Sequence, residues 1–144
     1  MTRSEGLRRF VFDSGALIGL ERGHPDVIEA LERILAGEVE GVVPRTVLAE
    51  VGRGGARQTR LAAAFNRAQR IRHGSLVIDE LTPERAVQIG RKIGECGHDD
   101  VVDVNVALCA RSSPSGVVDA IVLTDDRAGI TRVDRELEHV IIDV

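Results

Sequence analysis

Five short apolar runs, each separated from the next by a stretch with helical spacing, most constrain what this chain can fold into. The runs are Phe10–Phe12, Gly41–Val43, Leu76–Ile78, Ile121–Leu123 and Val140–Ile142. Each is too short for a helix, and each is apolar on successive residues rather than alternate ones. That pattern belongs to strands buried on both faces. Between them the spacing predicts helices over Ser14–Leu20, from Pro25 through Leu35, and from Pro44 through Val51. Further helices are expected around Gln58–Arg70, from Thr82-Pro83 to Cys96, and over Val101–Ala110. Prolines at helix starts, with Thr82 as an N-cap, support these boundaries. Strands alternating with helices imply an α/β fold with a parallel sheet covered on both faces. No Pro/Gly/Ser linker and no internal repeat divides the chain, so 144 residues read as one domain over 1–144.

The ends of these elements carry the chemistry. Asp13 follows the first run, Asp126 follows the fourth, Asp103 lies in the first turn of a predicted helix, and Glu50 lies in another. In an open α/β sheet the carboxyl ends of adjacent strands form one crevice, so acids distant in sequence converge there. Converged carboxylates repel one another unless a cation or protons compensate them. Ligands that are all carboxylates, without a Cys or His motif, suit Mg²⁺ or Mn²⁺ rather than zinc. Asp99 and Asp100 are expected to be helix-capping groups. Asp125 stands next to Asp126 and competes with it as a candidate ligand. Ser14 and Thr124 are placed to hold a neighbouring carboxylate or a water by a hydroxyl hydrogen bond.

Charge is segregated along the chain. Arg45 to Arg72 holds seven arginines (45, 53, 57, 60, 67, 70 and 72) against Glu50 alone, whereas His73 to Asp126 holds ten acids against four bases. A cationic surface beside an anionic centre suits a polyanionic substrate despite the overall charge of −4. With no Trp or Tyr and three Phe, base stacking on an aromatic platform is not expected. Recognition should rest on backbone charge and shape. No apolar run reaches the roughly 18–20 residues of a membrane span, and the N-terminal segment lacks the apolar centre of a signal peptide. The expected location is therefore cytoplasmic, with Cys96 and Cys109 as reduced, at least partly buried thiols.

Other α/β chemistries fail on particular residues. Asp13 is followed by Ser14-Gly15, not by the Asp-x-Asp of haloacid dehalogenase-type phosphatases. The single lysine, Lys92, lies inside a helix, unlike the late lysine of receiver domains. Gly52-Arg53-Gly54-Gly55 follows a helix, so it reads as a terminating turn rather than a phosphate loop.

Four segments in order resemble the motifs of the PIN-domain family. They are Phe10 to Leu17 with Asp13-Ser14, Pro44 to Val51 with Glu50, Asp100 to Ala107 with Asp103, and Ile121 to Asp126 with Thr124-Asp125-Asp126. Val104 departs from the alanine common after the third aspartate. The resemblance implies a three-layer α/β/α sandwich around a central parallel five-stranded sheet. It also implies that Asp13, Glu50, Asp103 and Asp126 form the catalytic and metal-binding quartet. Asp13, Asp103 and Asp126 would ligate the metal, and Glu50 would position a water or complete the coordination through one.

The small size resembles VapC-type toxins. That implies an Mg²⁺-dependent endoribonuclease, with Mn²⁺ as a substitute, acting on RNA, forming a homodimer and neutralised by a small VapB-like antitoxin. The arginines from 45 to 72 would guide RNA, with Arg67 and Arg70 equally suited to antitoxin contacts. The alternatives are an antitoxin-binding or operator-complex module with little turnover, and a metal-dependent DNA nuclease.

Overall fold

The computed structural model describes residues 8–52, 59–70, 76–112 and 115–144. Five strands form one sheet: β1 (Arg9–Phe12), β2 (Glu40–Pro44), β3 (Leu76–Asp79), β4 (Ala120–Thr124) and β5 (Ile141–Asp143). Their order is β3-β2-β1-β4-β5, and every neighbouring pair is parallel. Phe10 is in register with Gly41 on one side and Ile121 on the other, so β1 forms the sheet's centre. Val11, Phe12, Val122 and Leu123 are sealed from solvent. Burial of each such side chain contributes about 1.5–3 kcal/mol, more than any local propensity.

The crossovers supply the two outer layers. Helices α1 (Ser14–Glu21), α2 (Pro25–Leu35) and α4 (Thr59–Arg70) pack together on one face, with α3 (Arg45–Gly52) following β2. Helices α5 (Pro83–Cys96), α6 (Val101–Cys109) and α7 (Arg127–Val133) pack together on the other. The faces alternate because right-handed crossovers running from β1 toward β3 cover one side, while those running from β3 to β5 cover the other. The result is a three-layer α/β/α sandwich. The direction of winding reverses between β1 and β4, and there the carboxyl ends of the strands open into a crevice.

Most expected boundaries hold to a residue or two. Thr82 caps α5 by accepting from Arg85 N at 3.1 Å, and Gly97 ends that helix at φ +73°. Pro44 closes β2, and α3 begins one residue later. The last strand lies one residue beyond Val140–Ile142.

Two features depart from expectation. The edge strands are not covered on both faces: Val77 in β3 is exposed, and Ile141 and Ile142 in β5 are half-buried. Helix α7 and the 3₁₀ segment Arg135–Val140 fill a stretch for which no element was expected. Ile130, Val133 and Leu137 are the large side chains buried there, with Val140 partly so, too few in that polar stretch to mark a helix by period alone. Both thiols are free, and Cys109 is buried.

Candidate functional site

Each expected acid reaches the crevice from a different element. Asp13 leaves β1 and caps α1, taking Ser14 N at 2.8 Å on Oδ1. Its own amide continues the ladder to Leu123 O at 3.0 Å, so the sheet fixes its backbone. Asp126 follows β4 and caps α7 by accepting Gly129 N at 3.0 Å on Oδ1. Asp103 sits in the first turn of α6, where Asp100 Oδ1 accepts its amide at 3.1 Å. Glu50 comes from α3. Three of the four thus stand at helix N-termini, whose partial positive charge favours carboxylates.

Hydroxyl and amide donors then orient the carboxylates. Thr124 Oγ1, fully buried, donates to Asp13 Oδ2 at 2.6 Å and accepts Asp126 N at 2.9 Å. Ser14 Oγ donates to Glu50 Oε1 at 2.6 Å. One chain of contacts therefore runs from Glu50 through Ser14, Asp13 and Thr124 to Asp126. Asn105, buried on α6, donates to Thr46 Oγ1 at 2.8 Å and so ties the helix of Asp103 to that of Glu50. Both hydroxyls serve carboxylates, as their positions in sequence suggested.

The far end of the chain closes over Gly129. A methyl group built on Gly129 would collide with Asp126 Oδ2 and Asp103 Oδ2 together, so these two oxygens share the space above one glycine. Asp125 occupies the corresponding space above Gly15, which places it beside Asp13 rather than beside Asp103. Asp100 is the cap of α6, as expected, whereas Asp99 is exposed and does not cap.

The electrostatics reflect this crowding. Asp13 is buried and its carboxyl is held above the usual aspartate range, first by desolvation and then by Asp125 and Glu50; the Thr124 and Ser14 hydrogen bonds partly offset this. Asp103 is pushed up to about 6, again mainly by desolvation, with Asp100, Asp126 and Asp13 adding repulsion and the hydrogen bond from His98 opposing it. Residues from four separate elements repel one another here.

His98 was not among the expected site residues. Its Nε2 lies 2.8 Å from Asp103 Oδ2, and both side chains are largely buried. In sequence it stands in a helix break, one of four scattered histidines, with no metal-binding spacing to single it out. The signal that could have found it is its position two residues before the cap of α6.

The arginines are placed unevenly. Arg45 is paired in a bidentate manner with Glu80, and Arg60 donates to Leu20 O at 3.4 Å. Arg67 and Arg70 are exposed in the last turn of α4. Arg53, Arg57 and Arg72 lie outside the described residues, as does most of the Gly52–Gly55 turn.

An all-parallel α/β sandwich with carboxylates gathered where its winding reverses defines a class of protein with an acidic crevice at its switch point. The family model that matches is the PIN domain, over residues 10–136. The match takes in most of the chain, and the chain belongs to that family. None of the curated proteins matches it. PIN domains are generally metal-dependent nucleases.

The residues in the crevice offer oxygen donors to a divalent ion. Among the described residues, no three acids, histidines or cysteines stand close enough to cage an ion alone. A small hard cation that keeps its waters needs only one or two carboxylates directly. Oxygen donors dominate, and the raised Asp13 and Asp103 are the groups whose charge such an ion would relieve.

Proposed function

We propose that this chain is a single-domain Mg²⁺-dependent endoribonuclease of the VapC toxin type, with Asp13, Asp103, Asp126 and Glu50 as its metal-binding and catalytic acids. The observation that carries the reading is the run of donors that pins Glu50, Asp13 and Asp126 in one crevice, together with the proximity of Asp103 to Asp126 over Gly129. A divalent ion there would supply Lewis acidity at the phosphate and lower the pKa of water. Asp13, Asp103 and Asp126 would hold it, one or two of them directly and the rest through its waters. Mn²⁺ has the same preference for oxygen donors and is expected to substitute. Glu50, anchored on one oxygen by Ser14, would orient the attacking water with its other oxygen.

The exposed arginines of α4 suit a nucleic-acid backbone, and the family resemblance narrows that substrate to RNA. The family resemblance extends the reading to a homodimer neutralised by a small VapB-like antitoxin in the cytoplasm. Among the described residues, no helix is long and apolar enough to cross a membrane.

The test is cleavage of matched RNA and DNA by the purified chain, verified free of antitoxin, with Mg²⁺ or Mn²⁺. RNA alone should be cut, and Asp13→Asn should abolish cutting while the circular dichroism spectrum stays unchanged. Wild-type cleavage by Asp13→Asn at saturating Mg²⁺ would remove the proposed site. Cutting of DNA in preference to RNA would redirect the substrate reading. A folded, antitoxin-free wild-type chain that cuts neither would favour a binding module.

A further inference from the structure

His98 belongs to no motif that defined the site, yet it touches one of the site's acids. Two helix ends fix its position. Gly97, in the left-handed conformation, closes α5 with its amide on Ile93 O, and Asp100 opens α6. The short link between them leaves His98 little freedom, and its side chain is 16% exposed. Its Nε2 reaches Asp103 Oδ2 at 2.8 Å. An ionised carboxylate only accepts, so whenever Asp103 is ionised Nε2 is the donor in this contact.

The oxygen that His98 holds is the one that meets Asp126 Oδ2 above Gly129. Asp103 projects from the first turn of a helix, and its amide hydrogen bond fixes its backbone but not the rotation of its carboxylate. Among the described side chains, His98 alone donates to that carboxylate. A carboxylate oxygen has two lone pairs, so one N–H bond leaves it able to bind a cation as well. Groups that hydrogen-bond a metal-binding side chain commonly set its orientation and strengthen binding by about 10–100-fold.

We infer that His98 is a positioning residue that turns the Asp103 carboxylate toward Asp126, and so assembles the acid pair that receives the divalent ion. The inference rests on the metal-site reading above. His98 acts as a donor to Asp103, not as a metal ligand and not as a competitor for the site.

The test is Mn²⁺ binding by the full chain, read by electron paramagnetic resonance or calorimetry without any substrate. His98→Ala should weaken Mn²⁺ binding by about 10–100-fold. His98→Gln keeps an N–H donor and should recover most of that loss. Thermal melts establish that each variant is folded, and His98→Gln decides the matter should the alanine variant melt early. Unchanged or tighter binding by folded His98→Ala overturns the inference. So does a glutamine variant as weak as the alanine one, since restoring an N–H donor would then restore nothing. Wild-type chain that binds no Mn²⁺ overturns the metal-site reading and this inference together, an outcome distinct from a loss confined to His98.

Discussion

The buried hydroxyl of Thr124 donates to Asp13 Oδ2 at 2.6 Å and accepts the amide of Asp126 at 2.9 Å. One side chain at the end of β4 thereby orients an acid on each side of the sheet's switch point. Thr124→Val preserves shape but removes the hydroxyl, leaving Asp13 Oδ2 and the Asp126 amide without this partner. We expect a loss of about 1–3 kcal/mol in urea unfolding. The Asp13 carboxyl should rise further, because the largest influence opposing its desolvation is gone. Thr124→Ser retains the hydroxyl and should recover most of the stability. Equal stability of the valine and wild-type chains would show that the bond contributes nothing net.

Gly129→Ala probes the opposite end of the crevice. The added methyl would overlap Asp126 Oδ2 and Asp103 Oδ2, and the Asp126 carboxylate is anchored by Gly129's own amide. Alanine otherwise favours a helix interior over glycine by roughly 1 kcal/mol. The acids should therefore splay while the fold persists. Cleavage should fall at least about tenfold, equivalent to roughly 1.4 kcal/mol of barrier, with a melting temperature near that of wild type. Full activity in a stable Gly129→Ala would separate Asp103 and Asp126 functionally.

The contrast between these residues and His98 explains what the sequence could reveal. Asp13 and Asp126 directly follow strands, so strand recognition alone places them at the sheet's carboxyl edge. Thr124 and Ser14 adjoin them and were legible for the same reason. His98 acts through a contact five residues away across a helix cap, which depends on the exact turn made by Gly97 and leaves no period or spacing. Helix α7 escaped for a related reason: its core-facing Ile130 and Val133 are fixed by tertiary packing rather than by pattern. The exposure of Val77 likewise follows from strand order, which places β3 at an edge. Run composition does not record that order.

Asp103 should make stability depend on pH. Its native carboxyl is pushed up to about 6 from an ordinary value of 3.8, so the folded state holds the proton more tightly than the unfolded state does. Its contribution is most favourable below pH 4, declines as pH rises from about 4 to 6, and stays unfavourable above that. Asp103→Asn removes the titration. Without divalent ions the variant should be more stable than wild type by roughly 1–3 kcal/mol at pH 7.5, with the difference shrinking toward zero near pH 4. Saturating Mg²⁺ should stabilise the wild-type chain selectively. A pH-independent difference between the two chains in urea melts would contradict the burial of a charged Asp103.

Arg67 and Arg70 lie three residues apart in the last turn of α4, on adjoining parts of one helix face, and both are exposed. They are exposed cations of the kind a nucleic-acid backbone attracts, whereas Arg45 is engaged with Glu80. Replacing both with glutamine removes charge without creating repulsion, and stability should change by no more than about 1 kcal/mol. For single-stranded nucleic acid, each phosphate contact contributes about 0.7 to the slope of log affinity against log salt. The double variant should therefore bind a catalytically protected RNA more weakly at low salt, with a slope shallower by about 1.4. Binding by the Asp13→Asn chain, measured by fluorescence anisotropy across a salt series, supplies the reference. An unchanged slope would remove these arginines from the RNA path. Weakened antitoxin binding in the same variant would then assign them to that partner.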